Sequence, residues 1–168
     1  MTNKEVVTAF LTSYRRHDCE GMYDCLDPQV EFRDLAFESI TGAYVRAMWR
    51  WFCQPTETRK DPIDVPGFEI VKSEGDRVLA EYWVRYSPSP GRTVNYVIRS
   101  EFTLRAGKIV RQIDEPVISN LELARMAKGF PACLLALTPA FKPGLRKKML
   151  TQLEELTNAT IPKAAAAS

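Results

Sequence analysis

The sequence predicts a single α+β domain in which N-terminal helices lie against a curved, antiparallel or mixed β-sheet. Helical periodicity of apolar residues dominates positions 3–53, and long alternating stretches follow between about 68 and 117. Turn-forming residues separate the alternating stretches. Helices followed by a run of antiparallel strands are typical of helices packed on one face of a sheet. A chain of 168 residues is long enough for one such domain with a real core.

Two helices are predicted at the start of the chain. Thr2 or Asn3 can cap the first helix, which runs to about Arg16 with apolar residues on one side. The second helix is short, covers residues 21–26 and stops near Pro28.

The first strand is predicted at 29–35, and a Gly-led helix at 43–53 follows it. A polar loop punctuated by prolines then occupies residues 55–66. Four antiparallel strands come next, with a tight hairpin before the last one. They are expected at 68–73, 77–87, 92–105 and 109–117.

The remainder of the chain is predicted to be a C-terminal extension. Residues 1–118 form the main domain, 119–160 a helical extension or lid, and 161–168 a disordered tail. The apolar segment 130–141 with the basic residues 146–148 could instead dock on a membrane surface. We favour the interpretation that this segment packs as a lid covering the mouth of a pocket, because two prolines break any single amphipathic helix there.

Composition excludes several classes of function. The net charge of +2 is too small to indicate a basic surface that binds nucleic acid. Four cysteines without Cys-x-x-Cys spacing and a single histidine argue against a metal site, so we predict no metal and no cofactor. The N-terminus leads straight into a helix without a signal peptide, and reduced cysteines fit the cytoplasm.

Two aspartates are the candidate catalytic residues, because each ends an apolar strand face. Side chains two positions apart in a strand share a face. Two such faces arise here, formed by Val30, Phe32 and Asp34 and by Val110, Gln112 and Asp114. Acids at the ends of apolar strand faces indicate an apolar pocket with a few polar groups, which suits a small hydrophobic molecule. The alternatives are that Asp34 binds backbone amides of the following loop, and that Asp114 pairs with Arg105 or Arg111.

Aromatic and amide side chains on the presumed inner face are candidate ligand contacts. They comprise Phe32, Trp49, Tyr82, Tyr86, Tyr96 and Gln112. Tyrosine can pack in a core while its hydroxyl turns to a ligand, although ordinary core packing explains most of this set.

The outer sheet face is a candidate partner surface. Trp83, Arg85, Val97 and Arg99 share it with other charged residues. An exposed tryptophan favours a homodimer through this face, and the alternative is a solvated sheet with cross-strand ion pairs.

The order of the motifs resembles the nuclear transport factor 2-like superfamily and, within it, the SnoaL-like family of polyketide cyclases and ketosteroid isomerase relatives. The motifs are VVTAFL at 6–11, HDCEGM at 17–22, VEFRD at 30–34, ITG at 40–42 and KIVRQID at 108–114. The resemblance implies a cone-shaped sheet around a pocket, and dimerisation through the sheet's outer face.

The same resemblance implies roles for three residues. Asp34 lies where ketosteroid isomerases carry their general base, and Asp114 where SnoaL-like cyclases carry an acid/base aspartate. Tyr14 lies near the position of an isomerase oxyanion-hole tyrosine, although core packing also explains it. The chain departs from the family because residues 116–118 are Pro-Val-Ile, where a second acid is often found. The inward positions of the long strand are Ser100 and Phe102, so the second, protonated acid of the isomerases has no counterpart there. Arg99 lies between inward positions of the same strand and is therefore expected to face outward.

Two functions remain open from the sequence. One is a cofactor-free acid/base enzyme acting on a hydrophobic carbonyl, terpenoid or polyketide-type molecule. The other is a non-catalytic binding or dimerisation domain for an apolar ligand. Folds of this kind can serve both functions, so the chemistry of the site must distinguish them.

Overall fold

A computed structural model describes residues 1–55 and 61–128, together with separate positions between 143 and 157. These residues form helices packed against a curved six-stranded mixed sheet, which confirms the predicted α+β class. The helices are α1 (Asn3–Arg15), α2 (Cys19–Tyr23), α3 (Ala43–Cys53) and α4 (Asn120–Lys128).

Side-chain caps fix where the helices begin. Thr2 and Glu5 form a capping box at α1, and Ser119 and Glu122 form another at α4. The prediction for α2 at 21–26 is wrong at both ends. Asp18 caps α2 early, because its carboxylate accepts from the backbone N–H of Gly21 at 3.0 Å, and the first strand has already begun at Leu26.

The strands form one sheet in the order β2-β1-β6-β5-β4-β3. They are β1 (Leu26–Arg33), β2 (Ile40–Thr41), β3 (Phe68–Glu74), β4 (Arg77–Ser89), β5 (Arg92–Arg105) and β6 (Lys108–Pro116). β1 pairs in parallel with β6, and every other pairing is antiparallel. The strand predicted at 29–35 therefore starts earlier and ends just before Asp34, and the short β2 was not predicted.

One β-bulge decides which residues of β6 face the core. Leu104 pairs with Ile109 whereas Thr103 pairs with Arg111, so Val110 is an extra residue without a partner on β5. As a result Ile109 is fully buried and Val110 only half-buried. The predicted inward position of Val110 is wrong, but the bulge restores the predicted inward orientation of Gln112 two positions later.

The core fills the space between the inner sheet face and the helices. Trp49 of α3 lies at its centre, 1% exposed, with its ring centroid 5.0 Å from Tyr14 and 5.5 Å from Phe32. Edge-to-face packing of this kind adds to the stabilisation from burial alone. Leu153, from the C-terminal extension, is fully buried in the same core.

Gly42 sets the entry to α3. Its backbone has φ 55° and ψ −117°, a combination open essentially only to glycine, and a Cβ there would lie 3.1 Å from the carbonyl oxygen of Pro28. We expect Gly42→Ala to lower the free energy of unfolding by about 1–3 kcal/mol, measured by urea denaturation. Gly91→Ala is a matched control, because Gly91 also has positive φ, 73°, but open space around it. Equal losses in the two variants would show that the contact with Pro28 contributes nothing.

Two predictions concern the C-terminal extension. The apolar segment at 130–141 and the tail at 161–168 lie outside the described residues. Within 144–156, the described positions are helical. None of the helices in the described part of the chain has the length and apolar character to cross a bilayer. Docking on a membrane surface and the three-part division of the chain stay predictions.

Candidate functional site

Asp114, near the end of β6, is a carboxyl group held inside the protein. It is 6% exposed and lies on the inner sheet face, opposite Ser100 of β5. The Tyr82 hydroxyl donates a short hydrogen bond to Oδ2, and Nε2 of Gln112 donates to Oδ1 at 2.9 Å. Both carboxyl oxygens therefore have a donor, so the site can hold the charged form. The alternative pairing of Asp114 with Arg111 does not occur, since Arg111 pairs with Glu31 at 3.2 Å.

Burial raises the pKa of Asp114 from its ordinary value of 3.8 to about 6. Ser100, Tyr82 and Gln112 oppose this rise, because donors near the carboxylate favour its charged form. The Ser100 hydroxyl is a poorly aligned donor, since its oxygen has no partner at hydrogen-bond geometry among the described residues. The net result is an acid that changes its protonation state close to neutral pH, as a general acid/base requires.

Asp34 follows β1 directly and organises the next loop. Its Oδ1 accepts from the backbone N–H of Ala36 at 2.8 Å and of Phe37 at 2.6 Å. The structure thus shows that Oδ1 of Asp34 caps the loop, as the alternative interpretation of this residue proposed. The residue is also half-buried and lies at the wall of the same cavity as Asp114.

A small cavity of about 40 Å³ brings the two acids together. Its lining in the described part of the chain consists of Asp34, Leu35, Tyr96, Ile98, Asp114, Pro116 and Leu123. Its walls combine apolar side chains with a few polar groups. The convergence of Asp34 and Asp114 that the sequence predicts is therefore present.

The predicted tyrosines occupy three different environments. Tyr96 lines the cavity, and burial raises its pKa far above the ordinary value of 10. Tyr82 is fully buried, and burial together with the Asp114 charge raises its pKa as well. Tyr14 is 2% exposed and packs against Trp49 and Tyr82, with centroids 5.0 and 6.1 Å apart. Tyr86 is half-buried near the end of β4.

The other predicted ligand contacts lie deeper in the core. Phe32, Trp49 and Gln112 are each 1% exposed and do not line the described cavity. Sequence reasoning missed Leu35, Pro116 and Leu123 as wall residues. Alternation along β6 could have identified Pro116, whereas Leu123 reaches the wall only because α4 packs against β5.

The outer sheet face carries cross-strand ion pairs. Arg99 contacts Glu81 at 2.5 Å and points outward, as parity predicts, and Arg85 contacts Asp64 at 2.5 Å. These contacts are what the solvated-sheet alternative expects. Trp83 remains 37% exposed opposite Val97. A homodimer through this face stays a prediction.

No group of three or more histidine, cysteine, aspartate or glutamate side chains suited to a metal ion occurs among the residues that the structure describes. The single His17 instead has its Nε2 3.0 Å from the carbonyl oxygen of Ile63. Among the described residues that line the cavity, the polar side chains are the carboxyls of Asp34 and Asp114 and the phenol of Tyr96.

Comparison with solved structures shows the same fold in several proteins. A Xanthomonas campestris protein of unknown function with a cystatin-like fold superposes with a TM-score of 0.64, at 16% identity over 76% of this chain and 100% of that one. A protein from Jannaschia sp. CCS1, proposed to be a SnoaL-like polyketide cyclase, has a TM-score of 0.60, at 17% identity over 77% and 92% of the two chains. An LEH-like epoxide hydrolase from M. tuberculosis has a TM-score of 0.55, at 20% identity over 79% and 92%.

Sequence comparison identifies the family. No curated protein sequence matches the chain significantly. The family model of the SnoaL-like domain matches residues 7–112, which is more than half of the 168-residue chain and includes β1 and β6 as far as Gln112. The chain therefore belongs to the SnoaL-like family of the nuclear transport factor 2-like superfamily.

Proposed function

We propose that the protein is a cofactor-free acid/base enzyme that acts on a small hydrophobic carbonyl, terpenoid or polyketide-type molecule. The observation that carries this proposal is Asp114, a buried carboxyl at a cavity wall whose pKa of about 6 lies near neutral pH. Among similar folds, one protein proposed to be a polyketide cyclase and one LEH-like epoxide hydrolase support a small organic substrate.

Asp114 is suited to removing a proton from a carbon next to a carbonyl group. The ionised carboxylate takes the proton, and the electron pair of the C–H bond moves onto the carbonyl oxygen as an enolate. Return of the proton to another carbon of the enolate completes an isomerisation. In a cyclisation the enolate carbon instead attacks a second carbonyl of the same molecule, and the proton held by Asp114 passes to the resulting alkoxide oxygen. Apolar walls around the acid strengthen its basicity, and its hydrogen bonds from Tyr82 and Gln112 keep it oriented.

Tyr96 is the donor best placed to stabilise the enolate oxygen. It lines the cavity together with Asp114, and its raised pKa keeps the phenol neutral and able to donate. Tyr14, the donor suggested by family resemblance, is buried against Trp49 instead. Asp34 serves the same cavity by fixing the loop that carries Leu35.

Exchange of substrate protons for deuterium tests the proposal directly. Apolar ketones and polyketide-like diketones are incubated with the protein in D₂O, and NMR follows the loss of the α-protons. We expect catalysed exchange by the wild type and a loss of about a hundredfold or more in Asp114→Asn. The rate should rise with pH through about 6, because only the ionised carboxylate accepts a proton.

Glu115→Gln is the matched control, because Glu115 is the next residue of β6 and is exposed. It should leave the rate unchanged. Compounds that bind without any exchange by the wild type would refute the enzyme and favour the alternative, a non-catalytic binding domain for an apolar ligand.

A further inference from the structure

Gln112 lies beside Asp114 with only half of its side-chain amide satisfied. Its Nε2 donates to Oδ1 of Asp114 at 2.9 Å, whereas its Oε1 is buried and has no hydrogen-bond partner among the described residues. The residue is 1% exposed, so its amide lies inside the protein. A buried amide oxygen without a donor costs free energy, and the few that persist in a fold call for an explanation.

The two strand neighbours of Gln112 on the inner sheet face are apolar. Phe32 of β1 and Phe102 of β5 are its strand partners on either side, and both are fully buried. The two aromatic rings offer no hydrogen-bond acceptor comparable to a carboxyl. Rotation of the amide by 180° exchanges its nitrogen and oxygen with almost no change in shape, so the packing around it is preserved.

A proton placed on Oδ1 of Asp114 reverses the kind of partner that this oxygen needs. The carboxylate accepts from Tyr82 at Oδ2 and from Gln112 at Oδ1. A proton that Oδ1 gains on the side of Gln112 faces the N–H of its amide. Two donors then oppose each other, and a rotated amide removes this conflict by presenting Oε1 as an acceptor.

We propose that Gln112 is the positioning residue of Asp114, donating to the carboxylate in one amide orientation and accepting from the carboxylic acid in the other. The titratable groups that face Asp114 and its partner Tyr82 in the described residues are Tyr14, Asp34 and Tyr96. Only the catalytic consequence rests on the proposed function, namely that this proton is the one exchanged with a substrate.

The test follows the Asp114 carboxyl by ¹³C NMR titration of the intact protein without ligand. We expect Gln112→Met to raise the titration midpoint by about one to two units, because the carboxylate loses a charge-assisted hydrogen bond. Gln29→Met makes the same chemical change at an exposed position of β1 and should leave the midpoint unchanged. If the methionine variant does not fold, Gln112→Asn, which is too short to reach Oδ1, should give the same rise.

A second readout detects the rotation itself. In the wild type, contacts between the Gln112 amide protons and the rings of Phe32 and Phe102 should change with the same midpoint as the Asp114 carboxyl, and Asp114→Asn should abolish this change. An unchanged midpoint in the Gln112 variants, or an amide whose contacts stay constant through the titration, would overturn the inference. Neither readout uses a substrate, so an inactive wild type would refute the proposed function and leave this inference standing.

Discussion

Asp114→Asn should become more stable relative to the wild type as the pH rises from about 4 to about 7. In the wild type the pKa of Asp114 is about 6 when folded and near the ordinary 3.8 when unfolded. The folded state therefore binds the proton more tightly, and wild-type stability is lost as pH rises through this window. A pKa difference of about two units corresponds to about 3 kcal/mol in the free energy of unfolding. The asparagine variant does not lose this stability as the pH rises, because its side chain does not ionise.

Urea denaturation at several pH values measures this difference. The comparison uses the change with pH and not the stability at one pH, because asparagine also alters the hydrogen bonds from Tyr82 and Gln112. Glu115→Gln, at an exposed position, should follow the wild type throughout. Parallel curves for Asp114→Asn and the wild type would mean that the carboxyl is not desolvated in solution.

Trp49→Ala should lower the free energy of unfolding by about 3–5 kcal/mol. The indole is 1% exposed and lies 5.3 Å from the ring of Phe10 and 5.7 Å from that of Phe52, besides its contacts with Tyr14 and Phe32. Its removal leaves a cavity among rings that belong to both helices and sheet, so the surroundings can collapse only in part. Circular dichroism during urea denaturation is the measurement, because the substitution removes a fluorophore.

Trp51→Ala is the matched control on the same helix. Trp51 is half-buried and stacks at a tilt on Phe52, with centroids 5.5 Å apart. A loss of about 1 kcal/mol is expected there. If both substitutions cost the same, α3 would not present its face to the core as the structure describes.

Alternation in the sequence predicted the long strands well because one face of each is buried. Alternate positions of β4, from Val78 to Val84, are all buried, and those of β5, from Val94 to Leu104, are buried or half-buried. A register slip by one residue would turn such an apolar face to solvent, so the alternation in the sequence determines which side of the strand is buried. Asp34 was identified for the same reason, since it continues the buried face of Val30 and Phe32, whereas the face assigned to Asp114 holds only from Gln112 onward because of the bulge at Val110.

Three features escaped prediction because they depend on pairing or packing between two elements, which the pattern within one element does not report. The bulge at Val110 is fixed by pairing with β5, and local alternation carries no trace of it. The short β2 forms only because Ile40 meets Phe32 of β1. The contribution of Leu123 to the cavity wall depends on how α4 folds back over the sheet.

The parallel pairing of β1 with β6 has a consequence for how the chain reaches this structure. Phe32 and Gln112 are strand neighbours although roughly 80 residues separate them. On the ribosome, β1 emerges early with only the two-residue β2 to pair with, and waits for almost the whole domain to be synthesised. Such a high contact order slows folding and leaves an unsatisfied strand edge open to association between nascent chains. The two acids of the cavity meet only in this last pairing, so the site is completed at the end of folding.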